Sequence, residues 1–295
     1  MKNKIIDVYT LIKPEIEKLS KKGIKTAVLD CRLMLSKVLQ KKTTVYTHEI
    51  VKISENQIEN FHSLIRERET GKPISRIINK KNFWKSEFKL NEATLDPRPD
   101  TEVIIESVLQ NYLDKSQNLK ILDLGSGSGC IGLSLMIEYI FSKVYFSDIS
   151  IKSLEIAKSN VIRYNLLERS KFINFNWNLP NWEKSLLNFH YGQKFDLIVC
   201  NPPYIPSKEI KYLQTEIKQY DPLVALDGGK DGLSAYRTIF PNLKYILKSN
   251  GQTFFEIGKG QEYNVSSIAQ DHGFETMEYI KDLSGIIRVI KFIIK

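Results

Sequence analysis

Cysteine is scarce: Cys31, Cys130 and Cys200 are the only three in 295 residues, with no C-x-x-C spacing. An odd, scattered set excludes a disulfide framework and a cysteine-based zinc site, so a reducing compartment is expected and no metal is expected. Long hydrophobic runs are missing as well. No stretch approaches the ~18 apolar residues of a membrane span. The first ten residues already carry Asp7, which argues against a secretory leader. A soluble, cytoplasmic chain is therefore expected, and the absence of repeats and low-complexity tracts excludes a solenoid or a long disordered linker.

What is present is enough apolar material, 42% of residues, to bury a substantial core. At ~100 to 200 residues per domain, the length fits one large unit with a smaller one. Charge points to the same division. Residues 1–96 hold 20 basic and 12 acidic side chains, nearly all of the net +9, and the remainder is almost balanced. A basic appendage can steer a chain toward an anionic partner, or can simply be a lysine-rich solvated surface.

From Lys4 to about Arg68 the apolar residues recur at helical spacing, as in Val28, Leu29, Leu33, Leu35, Val38 and Leu39. Residues 1–80 thus read as a small helical bundle. Residues 81–96 read as a linking β-hairpin, with Asn91 and Glu92 near its middle. From Pro97 to residue 295, strands alternate with helices. Thr101 is placed to cap the first helix, and strands are expected at 120–124, 143–147, 170–175, 195–200, 252–257, 275–279 and 286–293. The alternation predicts an open, mostly parallel sheet covered by helices on both faces, with ligands beyond the carboxyl ends of its strands.

Two motifs follow strands. In ILDLGSGSGCIG, an apolar strand runs into Gly125, Ser126, Gly127, Ser128 and Gly129, where the backbone can turn tightly and approach a ligand. That loop fits a dinucleotide, S-adenosylmethionine, or a plain strand-to-helix turn. The next strand ends in Asp148, about twenty residues beyond the glycines, where an acid can accept from both hydroxyls of a ribose or can cap the following helix.

The second motif, FDLIVCNPPY, ends in Asn201, Pro202, Pro203 and Tyr204. Two prolines stiffen an extended turn whose carbonyls stay free to accept. Such a turn suits a planar NH2 group, whose two N–H bonds can be held by Asn201 Oδ1 and the Pro202 carbonyl, with Tyr204 offering a flat face.

With these motifs the chain resembles the HemK/PrmC family of release factor glutamine methyltransferases, within the class I S-adenosylmethionine-dependent methyltransferases. The resemblance also includes the LDCRLMLSKVL helix, FWKSEFKL, LDPRPDTE, DPLVALDGGKDGLSAYR, FFEIGKGQ and DLSGIIR, so it covers nearly the whole chain. It implies a Rossmann-like, seven-stranded, mostly parallel sheet, and S-adenosyl-L-methionine as cofactor with S-adenosyl-L-homocysteine as product. It further implies that Gly125 to Gly129 cradle the cofactor, Asp148 holds the ribose and Trp177 flanks the adenine. Asn201 meets both cofactor and substrate, and Asn201, Pro202, Pro203 and Tyr204 hold a glutamine of a release factor's Gly-Gly-Gln loop. The helical bundle would help dock that partner to a monomeric enzyme.

One departure is visible: Asn79 stands where the family usually has a glycine. Arg98 and Thr101 could face the cofactor cleft, while Glu256 and Gln261 carry resemblance without a derivable role. A ribosomal-protein glutamine methyltransferase would share these motifs. An adenine-N6 methyltransferase acting on DNA or RNA would share the Asn-Pro-Pro-Tyr turn, but would need a recognition element that is not evident here, so direct nucleic-acid binding is not expected. A non-catalytic adaptor would have lost Asp148, the glycines or Asn201.

Overall fold

A computed structural model describes residues 3–189 and 191–295, and these divide into two compact units: residues 3–80 with 214–220, and residues 81–189 and 191–213 with 221–295. In the first unit β1 (Asn3–Asp7) leads into α1 (Val8–Lys21), followed by α2 (Ala27–Val38), β2 (Ile50–Ser54), α3 (Glu55–Glu69) and α4 (Ile74–Ile78). Ser54 begins α3 with a capping box shared with Gln57. The apolar stripes of the helices close on one core around Ile12, Met34, Leu35, Phe61 and Ile65.

The unit is not purely helical. β1 and β2 pair antiparallel, with Ile6 opposite Val51 and Lys4 opposite Ile53. Helical spacing reports one chain segment at a time and cannot see a partner some fifty residues away. Asn79, at the end of α4, lies in the left-handed region with φ 57° and ψ 35°. This is where glycine is favoured and asparagine is among the best tolerated alternatives, so the departure from the family pattern preserves the backbone.

Membership of residues 214–220 in this unit also differs from the expected division. Buried Arg68 explains it locally: Nε donates to Asp30 Oδ2 at 2.7 Å, and Nη1 donates to Glu216 Oε1 at 2.9 Å. No sequence pattern reveals a bond between positions 68 and 216.

The second unit opens with a hairpin of β3 (Lys80–Phe83) and β4 (Ser86–Lys89), whose turn falls at Trp84–Lys85 and not at Asn91–Glu92 as expected. Phe83 and Phe88 pack into this unit's core, while the Trp84 indole donates to Glu138. Then come α5 (Glu102–Asn111), β5 (Lys120–Leu124), α6 (Cys130–Glu138), β6 (Lys143–Asp148), α7 (Ile151–Arg163), β7 (Ser170–Asn174), α8 (Trp182–Phe189) and β8 (Phe195–Cys200). After α9 (Thr215–Tyr220), which belongs to the first unit, follow α10 (Ser234–Ile246), β9 (Leu247–Glu256), α11 (Glu262–Asp271), β10 (Phe274–Lys281) and β11 (Ile287–Ile294).

The seven strands β5 to β11 form one sheet in the order β10-β11-β9-β8-β5-β6-β7, with only β11 antiparallel to its neighbours. This is the class I methyltransferase sheet that the resemblance implied. Strand alternation divides its side chains between two cores. Ile198 and Cys200 of β8 join Tyr236, Phe240 and Trp182 on one face, while Leu197 and Val199 join Ile104, Leu133 and Val161 on the other. Among the described residues no helix is long and apolar enough to cross a membrane.

Candidate functional site

The chain runs outward from β5 through β6 to β7, then returns to place β8 on the other side of β5. Strand order therefore reverses between β5 and β8, and a crevice opens beyond their carboxyl ends. The glycine loop leaves β5 there, and the Asn-Pro-Pro-Tyr turn leaves β8. A pocket at this point is lined by Gly125, Ser126, Gly127, Ser128, Asp148, Trp177, Asn201 and Pro203 among others, with Arg98, Thr101, Ile131 and Val224 completing its walls.

In the loop, Gly125, Gly127 and Gly129 all adopt left-handed conformations. Gly125 is fixed on steric grounds too, because a Cβ there would lie 3.1 Å from the Trp177 ring. Asp148 braces the loop: its Oδ2 accepts from Gly127 N and its Oδ1 from Ser150 N, both at 2.8 Å. Capping of α7 falls instead to Ser150, which accepts from Ser153 N. Each Asp148 oxygen keeps acceptor capacity toward the pocket. Burial pushes its carboxyl above the ordinary range, and the backbone N–H donors oppose that shift.

Asp123, inside β5, was missed by motif reading, although an acid interrupting ILDL just before the loop was a signal. It is fully buried; Oδ2 accepts from Gly132 N at 2.9 Å and Oδ1 has no partner. Burial lifts its pKa to about 7. Ser126 Oγ, on the pocket wall, is likewise buried and unpaired. An uncompensated buried carboxylate oxygen beside a glycine loop fits a ligand carrying an ammonium group, and so fits the methionine end of the expected cofactor.

Thr101 stands at the N-cap position of α5, as expected, but its side chain does not cap the helix. It sits in a 3-10 turn (Pro99–Thr101) with helical backbone angles, makes no capping bond, and accepts from Asn201 Nδ2 through Oγ1 at 3.1 Å. That bond uses one of the two N–H groups of the Asn201 amide and leaves Oδ1 as an acceptor for another group. Arg98 is paired with Asp221, which is nearly fully buried.

Pro202 is buried, and neither it nor Tyr204 lines the pocket. Instead Tyr204 anchors the turn from behind. Its hydroxyl donates to Glu256 Oε1 at 3.1 Å, which pushes the phenol pKa up, the charge of Glu256 contributing most. The Tyr204 carbonyl accepts from Gln261 Nε2 at 3.0 Å, and Gln261 Oε1 accepts from Gly258 N at 2.9 Å. Gly232 meets the same carbonyl so closely that a Cβ would lie 2.4 Å from it. Glu256 and Gln261 thus acquire roles that sequence reasoning could not supply: both hold the turn. Among the described residues no group of three or more His, Cys, Asp or Glu is placed to hold a metal ion.

Residues 102–219 match the Methyltransferase small domain model, and residues 12–78 match the PrmC N-terminal domain model. A release factor glutamine methyltransferase of Agrobacterium fabrum is 34% identical, with 94% of this chain and 93% of that protein aligned. One of Clostridium acetobutylicum is 36% identical over 88% of this chain and 89% of that protein. A bifunctional methyltransferase of Rickettsia conorii is 36% identical over 97% of this chain, which spans only 57% of that relative's length. The chain therefore covers about half the length of the bifunctional relatives it matches.

Proposed function

Since the chain belongs to the release factor glutamine methyltransferase family, we propose that it transfers a methyl group from S-adenosyl-L-methionine to the side-chain nitrogen of the glutamine in a release factor's Gly-Gly-Gln loop. The observation that carries this reading is the Asn201 amide, bound by its nitrogen to Thr101 at the mouth of the glycine-loop pocket, with its oxygen available to an N–H donor.

In this reading Gly125, Ser126, Gly127, Ser128 and Gly129 form the wall against the cofactor, and Asp123 balances its ammonium group. Asp148 takes the ribose hydroxyls and Trp177 flanks the adenine. When bound, the cofactor supplies an electrophilic methyl on a sulfonium. The substrate amide nitrogen is a poor nucleophile because its lone pair is delocalised. Asn201 Oδ1, on the pocket wall, accepts one of its N–H bonds, and the Pro202 carbonyl would accept the other only once the substrate displaces what now buries it; together they orient the nitrogen and favour pyramidal geometry. No strong base is needed, because the proton becomes acidic as the new N–C bond forms. The first unit, with its lysine excess, would dock the release factor.

The test is transfer of labelled methyl to three acceptors: a release factor, the same factor with Gln→Ala in its Gly-Gly-Gln loop, and unmethylated DNA. Label is expected only in the first, and Asn201→Ala should depress transfer strongly while largely retaining cofactor binding. Label in DNA, or equal label in both factors, would sink the reading.

A further inference from the structure

The Pro99–Thr101 turn is a single 3-10 turn, too short for its own backbone bonds to place it, and its position is set by side chains on either side. Arg98 before it pairs with Asp221, and Glu102 after it accepts from Trp84 N through Oε1 at 2.7 Å. Between these anchors Asp100 Oδ2 pairs with Arg288 Nη2 at 2.8 Å. Thr101 is buried, and its hydroxyl accepts from Asn201 Nδ2 at 3.1 Å.

We infer that Arg288, acting through Asp100, is a positioning residue for methyl transfer: it pins the Pro99–Thr101 turn so that Thr101 meets the Asn201 amide; this rests on the glutamine chemistry proposed above. β11 runs antiparallel to β9, so its first residues lie beside the carboxyl end of β9. Val289 stands opposite Glu256, and the Arg288 carbonyl accepts from Ile257 N at 2.8 Å. Arg288 therefore stands at the end of the sheet from which the glycine loop and the acceptor turn leave.

Asp282, between β10 and β11, aims the guanidinium. Its Oδ2 accepts from Arg288 Nε at 2.9 Å, while its Oδ1 accepts from Ser284 N at 2.8 Å and Ile286 N at 3.0 Å and so shapes the turn. Held at Nε, the planar fork presents Nη2 to Asp100 in a fixed direction. Lysine has the charge but not the fork, and cannot reach both acids this way. The DLSGIIR run thus has a use at the site: its first residue orients its last, and its last holds Asp100.

The consequence falls on Asn201. Its amide has two orientations of nearly the same shape, and only the one with its nitrogen on Thr101 turns Oδ1 toward a substrate N–H. A turn that drifts withdraws the Thr101 hydroxyl and lets the amide rotate. The Asp100 side chain is 45% exposed, so solvent screens its pair with Arg288, which adds little to stability. What the pair supplies is placement.

The experiment compares Asp100→Ala, Arg288→Lys, Thr101→Val and the double variant Asp100→Ala with Thr101→Val against the unaltered full chain, using a release factor as acceptor. Asp100→Ala should lower kcat about tenfold, the equivalent of one lost hydrogen bond at the Asn201 amide. KM and thermal midpoint should stay close to those of the unaltered chain. Arg288→Lys should lower kcat although it keeps the charge. Because Asp100 acts through Thr101, the double variant should be no slower than Thr101→Val alone. A normal kcat in Asp100→Ala or in Arg288→Lys, or losses that multiply in the double variant, would each overturn the inference.

A second readout is independent of the substrate. The side-chain amide protons of Asn201, identified by their loss in Asn201→Ala, should exchange slowly in the 15N-labelled chain and faster in both Thr101→Val and Asp100→Ala. Should the release factor receive no label at all, the substrate reading fails, and this exchange measurement alone decides whether Arg288 and Asp100 position the amide. Equal exchange rates in the unaltered chain and Asp100→Ala would refute it.

Discussion

Gly232→Ala is a demanding test of the idea that the acceptor turn is held from behind. Gly232 has φ +79°, and an added Cβ would stand 2.4 Å from the Tyr204 carbonyl oxygen and 2.6 Å from Gln261 Nε2. Left-handed backbone costs a non-glycine residue roughly 1–2 kcal/mol. Overpacking against a carbonyl held in place adds about 1–3 kcal/mol. A combined loss of about 3 kcal/mol corresponds to a fall of roughly 6–12 °C in the midpoint of a unit this size. Gly260→Ala supplies the control, since φ is +83° but nothing lies within 4 Å of the added Cβ. It should show only the backbone cost, with turnover close to normal. Relief of the clash in Gly232→Ala must move the Tyr204 carbonyl, and a misplacement of about 1 Å costs on the order of a hundredfold in rate. Differential scanning calorimetry and methyl-transfer assays on the two variants read both quantities. Equal stability losses in the two, together with normal turnover in Gly232→Ala, would refute the argument.

Stability should also depend on pH in an unusual direction. Glu256 is raised from 4.5 to about 7, so between those values the folded chain binds a proton that the unfolded chain has lost. Stability without cofactor should therefore fall as pH rises from about 4.5 to 7, by up to ~3 kcal/mol from this group, and level off above. Asp123, raised to about 7, acts in the same sense. Urea unfolding at pH 5 to 8 reads the slope, which Glu256→Gln should flatten; a slope of opposite sign that this variant leaves unchanged counts against it. Asp148→Ala removes the acceptor for the Gly127 N–H of the loop and for Ser150 N, and should weaken cofactor binding by at least about tenfold in calorimetric titration. Normal affinity there would detach Asp148 from the site. In the first unit, Arg68→Ala leaves Asp30 buried without its cation and should cost about 3–5 kcal/mol, whereas Arg66→Ala, in an exposed pair with Glu59, should leave the unfolding curve in place. Equal effects would show that burial does not set the value of these pairs.

Most of the large unit was legible because its signals are local. Strand 195–200 was read at its observed limits, since six apolar-rich residues bounded by Lys194 and a proline pair leave little choice. The start of β9 at Leu247 was not, because the strand runs through Ser249-Asn250-Gly251, a sequence that locally reads as a turn. The Thr101 side chain was misread for a related reason: a threonine before a helix satisfies capping statistics, and only Asn201, a hundred positions away, shows that its hydroxyl is spent elsewhere. Pairing of β1 with β2 stayed hidden because it joins distant segments.

By itself, then, the sequence determined what depends on neighbours in the chain: the alternation that builds the sheet, the glycine and Asn-Pro-Pro-Tyr turns, the acid at the end of β6 and the uneven charge. Tertiary structure alone decided what depends on burial and on contacts between remote residues. It lifted Asp123 and Glu256 toward neutrality by removing them from water, turned Gln261 and Gly232 into the backing of the acceptor turn, and set the Asn201 amide against Thr101. Hydrogen-bond direction and desolvation arise only where distant segments meet, and one-dimensional patterns carry neither.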